Sequence, residues 1–245
     1  MKKIVVMSGK GGVGKSTVAA NIAFALTMKG YKVGLLDSDL HGPSIPKILG
    51  LEDLKGLEVS EGKLKPAEVD GLKVVSIQFL LPSKDSPVVW RGPMKHKFLE
   101  QIFKDVDWGD LDYLIIDCPP GTGDEIISIF QLANPDAAVI VTTPQSVAIE
   151  DVRKAINFAK KAVGKIYLIE NMSGLICPHC GKRIDVFGVG GGKKLAEEMG
   201  VKFLGEIPLD PEIMKSCENG KPFVKFDFDS AKVFRDIVDT LVKEV

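Results

Sequence analysis

The feature that most constrains the fold is a glycine-rich stretch near the amino terminus. A short apolar run precedes residues 8–17, which read SGKGGVGKST, and a helical apolar periodicity follows them. The pattern G-x-x-x-x-G-K-[ST] is satisfied by Gly9, Gly14, Lys15 and Ser16. A strand, a glycine-rich turn and a helix in this order predict a phosphate-binding loop, because N–H groups at a helix start attract anions.

The loop also contains the first candidate catalytic and metal-binding residues. Lys15 is expected to reach the β- and γ-phosphates, and the Ser16 hydroxyl is expected to bind Mg²⁺. Lys10 exceeds what the pattern requires; it either reaches a nucleotide held by another subunit, as an arginine finger does in trans, or is simply solvated. The nucleotide-binding residues predicted from the loop are Gly9, Lys10, Gly11, Gly12, Val13, Gly14, Lys15, Ser16 and Thr17.

Alternating strand and helix patterns predict an α/β fold over the rest of the chain. Apolar residues make up 45% of 245, enough for a large core. The predicted strands cover residues 3–7, 32–36, 72–77, 113–116, 137–141, 165–169 and 202–204. The predicted helices cover residues 16–28, 124–132, 147–162, 193–199 and 231–245. We therefore expect one P-loop ATPase domain, residues 1–245, with a mostly parallel sheet flanked by helices.

Charge and hydropathy restrict the partners and the compartment. Lysine plus arginine (32) nearly balance aspartate plus glutamate (33), so no basic field predicts a nucleic acid or anionic membrane partner. Neither a signal peptide nor a transmembrane-length apolar run is present. The amphipathic segment 231–245 mixes both charges on its polar face and is expected to close the domain. We expect a soluble, cytoplasmic protein whose four cysteines stay reduced.

Acidic residues after two predicted strands are expected beside the phosphates. Asp117 ends an apolar strand, where parallel sheets bind ligands, and is expected to hold Mg²⁺ directly or through water. Asp37 and Asp39 follow the second strand, and Asp39 is the better candidate for orienting or deprotonating the attacking water. The turn at 119–124 is suited to sensing a γ-phosphate through a backbone N–H.

A second chemical site is predicted at Cys177 and Cys180, which form the sequence C-P-H-C-G. A thioredoxin-type redox pair fits poorly, because such a pair opens a helix in a small βαβ domain. A metal knuckle fits better, because two thiolates chelate one metal around a tight turn. We therefore predict a metal-binding segment at residues 173–187, inserted in the main domain.

The cysteine pair supplies only half of a closed site. Four ligands are required, and the chain contains no second C-x-x-C sequence. A twofold dimer would bring two copies of the pair together as a Cys₄ site. Such a site suits zinc and a [4Fe–4S] cluster alike, so the metal stays open. Cys118 is expected to be a buried small side chain, and the role of Cys217 stays open.

Motifs along nearly the whole chain resemble those of the Mrp/ApbC (Nbp-type) ATPases, a MinD-like P-loop branch with a signature lysine. Besides the loop, the matching segments are 37–44 (DSDLHGPS), 90–94 (WRGPM), 112–124, 141–145 (VTTPQ), 170–173 (ENMS) before the cysteine pair, 187–192 (FGVGGG) and 205–211 (GEIPLDP). Many members carry an additional N-terminal segment, so this chain, which begins at the first strand, is expected to be the minimal form.

The resemblance implies a homodimer that acts as a slow, switch-like, Mg²⁺-dependent ATPase. By resemblance, a labile [4Fe–4S] cluster is bridged between subunits by Cys177 and Cys180 and is passed to apo-proteins. Cluster-assembly scaffolds are implied as further partners. The same resemblance makes Lys10 the lysine that reaches across the dimer and places Asp39 in switch I.

The adenine pocket is also implied by resemblance alone. Asn171 corresponds to the residue that reads adenine, and the remainder of the pocket corresponds to Pro208, Leu209 and Asp210. Arg91 and the glycines at 190–192 match as well, without a definite role.

Two other functions remain open at this stage. A MinD/ParA-type positioning ATPase would act on membrane or DNA; the cysteine pair and the charge-mixed C-terminal helix argue against it. Alternatively, the metal is structural zinc and the protein is a nucleotide-switched dimer. The irregular region 42–71 is expected to be a mobile or partner-facing insertion.

Overall fold

Short apolar strands separated by helices produce one layered α/β arrangement. The computed structural model describes residues 1–81, 92–177 and 179–245. The strands are β1 (Lys2–Ser8), β2 (Val33–Asp37), β3 (Val59–Ser60), β4 (Lys63–Leu64), β5 (Ala67–Val69), β6 (Leu72–Ser76), β7 (Tyr113–Asp117), β8 (Ala137–Thr142), β9 (Lys165–Ile176), β10 (Arg183–Ile184) and β11 (Lys202–Leu209). The α-helices are α1 (Lys15–Met28), α2 (Ile45–Ile48), α3 (Gly92–Asp105), α4 (Asp124–Ala133), α5 (Ser146–Ala159), α6 (Gly191–Met199), α7 (Pro211–Glu218) and α8 (Asp229–Glu244).

The main sheet has the strand order β10-β9-β8-β1-β7-β2-β6-β5, and β11 also pairs with β9. Neighbouring strands from β9 to β6 are parallel, whereas β10 and β5 run antiparallel to their neighbours. Strands β2, β7 and β8 are buried along their whole length, because helices cover both faces of the sheet. The predicted mostly parallel sheet flanked by helices is confirmed.

Alternate residues of each strand feed two separate cores. On β1, Ile4 and Val6 pack on the side of α1 and α8, whereas Val5 and Met7 pack on the side of α4 and α5. Helix α1 is apolar around most of its circumference because it contacts the sheet on one side and α8 on another. This central helix fixes the loop that precedes it.

Some elements differ from the sequence-based expectation. The helices α3 and α7 were not predicted. The region 42–71 is not one long loop: it contains α2, the β3–β4 hairpin and β5, which extends the main sheet. The predicted C-terminal helix is confirmed, since α8 buries Phe234, Ile237, Val238 and Leu241. None of the helices in the described part of the chain is both long and apolar enough to cross a bilayer.

The topology brings three strand ends together at one edge of the sheet. β1 lies between β7 and β8, and β2 lies beyond β7. Asp117 on β7 is in register with Val6 on one side and with Asp37 on the other. Ligands of such sheets bind where the carboxyl ends of the strands meet. This edge contains most of the predicted nucleotide-binding residues.

Candidate functional site

The phosphate-binding loop connects β1 directly to α1. Gly12 and Gly14 have positive φ angles of 81° and 84°, a conformation that strains any residue with a Cβ. The Ser8 hydroxyl donates to the Lys10 carbonyl at 2.8 Å and closes the first turn of the loop. Lys10 is half-buried and lines a cavity that opens above the loop. The loop is thus held in shape by its own backbone and by the strand before it.

Asn171 fixes the loop from the opposite side. Its side-chain amide donates to the Val13 carbonyl at 2.9 Å, and Asn171 itself is buried. A Cβ added at Gly14 would lie 2.2 Å from the Asn171 amide nitrogen, so glycine is required there by space as well as by φ. Asn171 lines the nucleotide cavity, but the contact that the structure gives it is with the loop.

Three buried ionisable side chains, Lys15, Asp37 and Asp117, lie beneath the loop. The Lys15 ammonium contacts Asp117 Oδ1 at 2.5 Å and Ser16 Oγ at 3.1 Å. Burial opposes the charged form of Lys15, but the neighbouring Asp117 carboxylate holds its pKa above the ordinary value. Asp37 is completely buried on the adjacent strand, and burial together with Asp117 raises its pKa to about 8. Lys15 pairs with Asp117, and burial beside that carboxylate favours the protonated form of Asp37.

The residues predicted to hold Mg²⁺ provide a suitable donor set. Within the described residues, Asp117 Oδ2 is buried and accepts no hydrogen bond, although its partner oxygen is paired with Lys15. An unsatisfied buried carboxylate oxygen is costly, and a hard cation would satisfy it. The Ser16 hydroxyl lies 3.1 Å from the Lys15 ammonium, which also pairs with Asp117. Hydroxyl and carboxylate oxygens fit the coordination preference of Mg²⁺.

Asp39 lies in the loop after β2, and its carboxylate organises that loop. Asp39 Oδ1 accepts hydrogen bonds from the backbone N–H groups of His41 and Gly42 at 3.2 and 3.1 Å. Asp39 lines the nucleotide cavity together with Pro120, which belongs to a second loop, the one between β7 and α4. That second loop is attached to the first strand, since the Gly121 N–H donates to the Ser8 carbonyl at 3.0 Å.

A cavity of about 570 Å³ opens above the phosphate-binding loop. Its lining includes Pro208, Leu209 and Asp210, the residues predicted by resemblance to complete an adenine pocket. The Asp210 carboxylate is already used, because it caps α7 through Glu212 N and accepts from the Ser230 hydroxyl.

Three residues of the site or its cavity received no definite role from the sequence. Asp37 was placed second to Asp39, although two apolar strands that both end in aspartate were a usable signal for a shared carboxylate site. Cys217 and Met172 line the cavity through α7 and β9. Burial raises the pKa of Cys217, whose thiol faces the Thr17 hydroxyl. No local pattern placed Cys217 at the cavity, because α7 was not predicted, and Met172 lies beyond the predicted end of its strand at residue 169.

The cysteine pair lies on a turn beyond the end of β9. The Gly181 N–H donates to the Cys177 carbonyl and the Cys177 N–H donates to the Lys182 carbonyl, both at 2.9 Å. Backbone N–H groups of Cys180 and His179 lower the pKa of Cys177. Cys180 is exposed, whereas Cys118 is fully buried as predicted. Pro178 lies outside the described residues, as do Trp90 and Arg91.

Metal-binding groups are scarce elsewhere in the structure. Across residues 1–81, 92–177 and 179–245, no group of three or more His, Cys, Asp or Glu residues is arranged to hold a metal ion. The glycine run 190–192 acquires a structural role, because the N–H groups of Gly190 and Gly192 donate to the buried Glu170 carboxylate. Glu170 thereby fixes the start of α6 to β9.

Comparison with known proteins agrees with this geometry. The family described as "ParA: NUBPL iron-transfer P-loop NTPase" matches residues 1–242. An iron-sulfur cluster carrier protein of Methanocaldococcus jannaschii is 49% identical over 245 residues, which cover 99% of this chain and 84% of the relative. The cytosolic Fe-S cluster assembly factor CFD1 of Kluyveromyces lactis is 51% identical over 253 residues, with 98% and 89% covered. A solved nucleotide-binding protein of Archaeoglobus fulgidus in complex with ADP is 40% identical, with a TM-score of 0.79 and 95% and 91% covered.

Proposed function

Because the chain belongs to the NUBPL iron-transfer P-loop NTPase family, we propose that it is an Mg²⁺-dependent ATPase whose dimer carries a [4Fe–4S] cluster as cargo. The proposal treats residues 1–245 as one domain with a metal-binding segment at 173–187. The observation that carries it is the turn that holds Cys177 and the exposed Cys180, where backbone N–H groups lower the pKa of Cys177 and favour its thiolate form. The names of the two curated relatives support the same cargo.

At the nucleotide site, different residues bind the phosphates, the base, Mg²⁺ and the attacking water. The N–H groups of residues 9–17 and the Lys15 ammonium bind the phosphates, and Asn171 with residues 208–210 encloses the base. Ser16 and Asp117 hold Mg²⁺, which neutralises phosphate charge when bound. Asp39 orients the attacking water. ADP in the Archaeoglobus fulgidus protein supports an adenine nucleotide as the ligand.

The cargo site requires a second copy of the chain. One turn supplies two thiolates and the cluster takes four, so a twofold axis beside the turn completes the ligand set. Exposed apolar side chains surround the cysteines and would be covered by such a partner: Ile176, Ile184, Val186 and Val189. In the same dimer, Lys10 would reach the nucleotide of the other subunit. Homodimer formation is thus supported by the incomplete ligand set and the exposed apolar side chains at the cysteine turn.

One strand connects the two sites. Asn171, which contacts the phosphate-binding loop, and Cys177 are separated by six positions on β9 and the turn after it. We propose that nucleotide-dependent movement of the loop is passed along β9 and changes how tightly the cluster is held. An accessible Cys180 leaves the cluster within reach of apo-protein clients and assembly scaffolds. A cytoplasmic location is supported by the name of the Kluyveromyces lactis relative.

The decisive experiment is anaerobic purification and reconstitution with iron and sulfide, followed by absorption spectroscopy and iron, sulfide and zinc analysis. We expect four iron atoms per dimer, a sulfide content to match, and their loss in Cys177→Ala. The matched control is Cys118→Ala, which removes a buried cysteine away from the turn and should retain the cluster. Zinc without iron in the native protein, or a full cluster on Cys177→Ala, would contradict the cargo assignment.

A further inference from the structure

A second cavity, of about 640 Å³, lies outside the nucleotide site between the two loops and the helices α3 and α4. Two of the three histidines of the chain line it, His41 from the loop after β2 and His96 from α3. Asp39 and Pro120 line both cavities. The outer cavity is therefore separated from the nucleotide by the two loops that contact it.

Lys95 bridges these two loops from α3. Its ammonium lies 2.6 Å from His41 Nε2 and forms an ion pair with Glu125 Oε1. His41 Nε2 lies 3.3 Å from the same Glu125 oxygen, so the three side chains form a closed triangle. An ammonium group can only donate, so His41 Nε2 accepts from Lys95 through its ring lone pair. The Lys95 and Glu125 side chains are only 16% and 17% exposed, which limits screening of the pair.

Both partners of Lys95 lead directly to the nucleotide site. The backbone N–H of His41 donates to the Asp39 carboxylate, which faces the nucleotide cavity. Glu125 lies in the first turn of α4, directly after the loop that contains Gly121. The Gly121 N–H is bonded to the Ser8 carbonyl at the start of the phosphate-binding loop. Lys95 therefore connects the Asp39 loop with the loop that is attached to the phosphate site.

The helix that carries Lys95 is firmly attached. His96 Nδ1 lies 2.9 Å from the Ser128 hydroxyl, which donates in turn to the Asp124 carbonyl. Leu99 and Ile102 of α3 are buried in the same core as Ile126 and Ile129 of α4. Lys95 thus acts from a rigid base, which is the requirement for fixing a loop at a defined distance.

We propose that Lys95 is a positioning residue for ATP hydrolysis. It holds His41 and Glu125 at a fixed separation, and thereby keeps the Asp39 carboxylate oriented toward the attacking water. Among the described residues, Lys95 lines the outer cavity and not the nucleotide cavity, so it acts on turnover without contacting ATP. The inference rests on the ATPase activity of the proposed function and is independent of the cargo.

The test compares Lys95→Met with Lys97→Met, a matched change at an exposed lysine on the same helix. We expect Lys95→Met to lower kcat about tenfold while KM for ATP changes less than about twofold, because general-base orientation is lost and phosphate binding is kept. Lys97→Met should match the wild type. Lys95→Arg, which can donate to both partners, should recover most of the lost rate.

A double variant tests whether the effect passes through His41. His41→Ala and Lys95→Met should be non-additive, with the double variant no slower than the slower single variant. Additive losses, or an equal fall in nucleotide affinity and kcat, would overturn the positioning role. Equal kcat for Lys95→Met and the wild type would overturn it as well. Cluster loading, measured in parallel, reports on the cargo separately: its absence in the wild type contradicts the proposed cargo and leaves the Lys95 result standing.

Discussion

On β9, Asn171 is buried against the phosphate-binding loop, whose Lys15 is paired with Asp117 of the same chain. Six positions later, Cys177 lies on a turn at the edge of the sheet, with exposed apolar side chains around it. The nucleotide site has Lys15 paired with the buried Asp117, and a glycine at position 14 that has no room for a Cβ beside Asn171. The cysteine turn has half a ligand set. The contrast indicates that one chain shapes the phosphate-binding loop by itself, whereas the proposed cargo site needs a second chain.

The largest expected effect separates occupancy of the two sites. Lys15→Met should reduce ATP hydrolysis by about a thousandfold or more, because the phosphate charge loses its buried ammonium. The same variant should load iron and sulfide at the wild-type level, since Cys177 and Cys180 lie on a different element. Steady-state hydrolysis and cluster analysis on one preparation measure both.

The control for that comparison is Lys193→Met, an exposed lysine at the start of α6. It should leave both readouts unchanged. Loss of cluster loading in Lys15→Met, at a Tm equal to that of the control, would mean that the cysteine turn is not assembled independently of the phosphate site.

The second prediction compares two glycines with similar backbone angles. Gly14 (φ 84°) and Gly181 (φ 69°) both have left-handed backbone angles, so a residue with a Cβ at either position costs about 1–2 kcal/mol of stability. A Cβ at Gly14 would also lie 2.2 Å from the Asn171 amide, whereas a Cβ at Gly181 would meet no atom of the described residues within 4 Å. Gly14→Ala should therefore lower the free energy of unfolding by about 1–3 kcal/mol more than Gly181→Ala.

Urea unfolding of both variants without nucleotide measures this difference. Equal destabilisation would show that the loop yields to the added methyl group and that its fit against Asn171 is loose. In that case, pre-organisation of the nucleotide site would depend on the bound phosphates and not on the packing of β9.

Sequence reasoning identified the nucleotide site more completely than its surroundings. The loop 8–17 and the cysteine pair could be predicted because each has a fixed local spacing, and Asp117 because it ends an apolar strand. That Asp37 lies beside Asp117 could not be predicted in this way, since it depends on the register between β2 and β7. Lys95 was not found at all, because α3 was not predicted and its contacts join residues 54 and 30 positions apart. Long-range contacts of this kind leave no local pattern.

The third prediction uses the buried carboxyl group of Asp37. Its pKa is raised from 3.8 to about 8 in the folded protein, so folding favours the protonated form. The stabilising contribution is complete below pH 4 and is lost as the pH rises through about 8. Asp37→Asn stays neutral, so its advantage in Tm over the wild type should grow between pH 6 and 8.5, by about 2–4 °C for each kcal/mol.

The matched control lies on the cysteine turn. Asp185 is an exposed partner of Arg183, and exposed ion pairs contribute about 0–1 kcal/mol. Thermal unfolding of Asp185→Asn without nucleotide should follow the wild-type pH profile. If the profile of Asp37→Asn also runs parallel to that of the wild type, folding does not raise the pKa of Asp37. Burial of a carboxyl group would then not distinguish the nucleotide site from the cysteine turn.

The smallest expected effect concerns thiol reactivity. Backbone N–H groups lower the pKa of Cys177, and burial raises the pKa of Cys118. In the metal-free, folded protein, iodoacetamide should therefore modify Cys177 at a lower pH than it modifies an unstructured cysteine peptide, while Cys118 stays unmodified. Mass spectrometry after timed labelling resolves each site, and labelling in urea should abolish the difference between them. If Cys177 instead reacts with the same pH dependence as the peptide, the turn does not favour the thiolate in the absence of metal. The proposed cargo site would then become ordered only when two chains and a cluster come together.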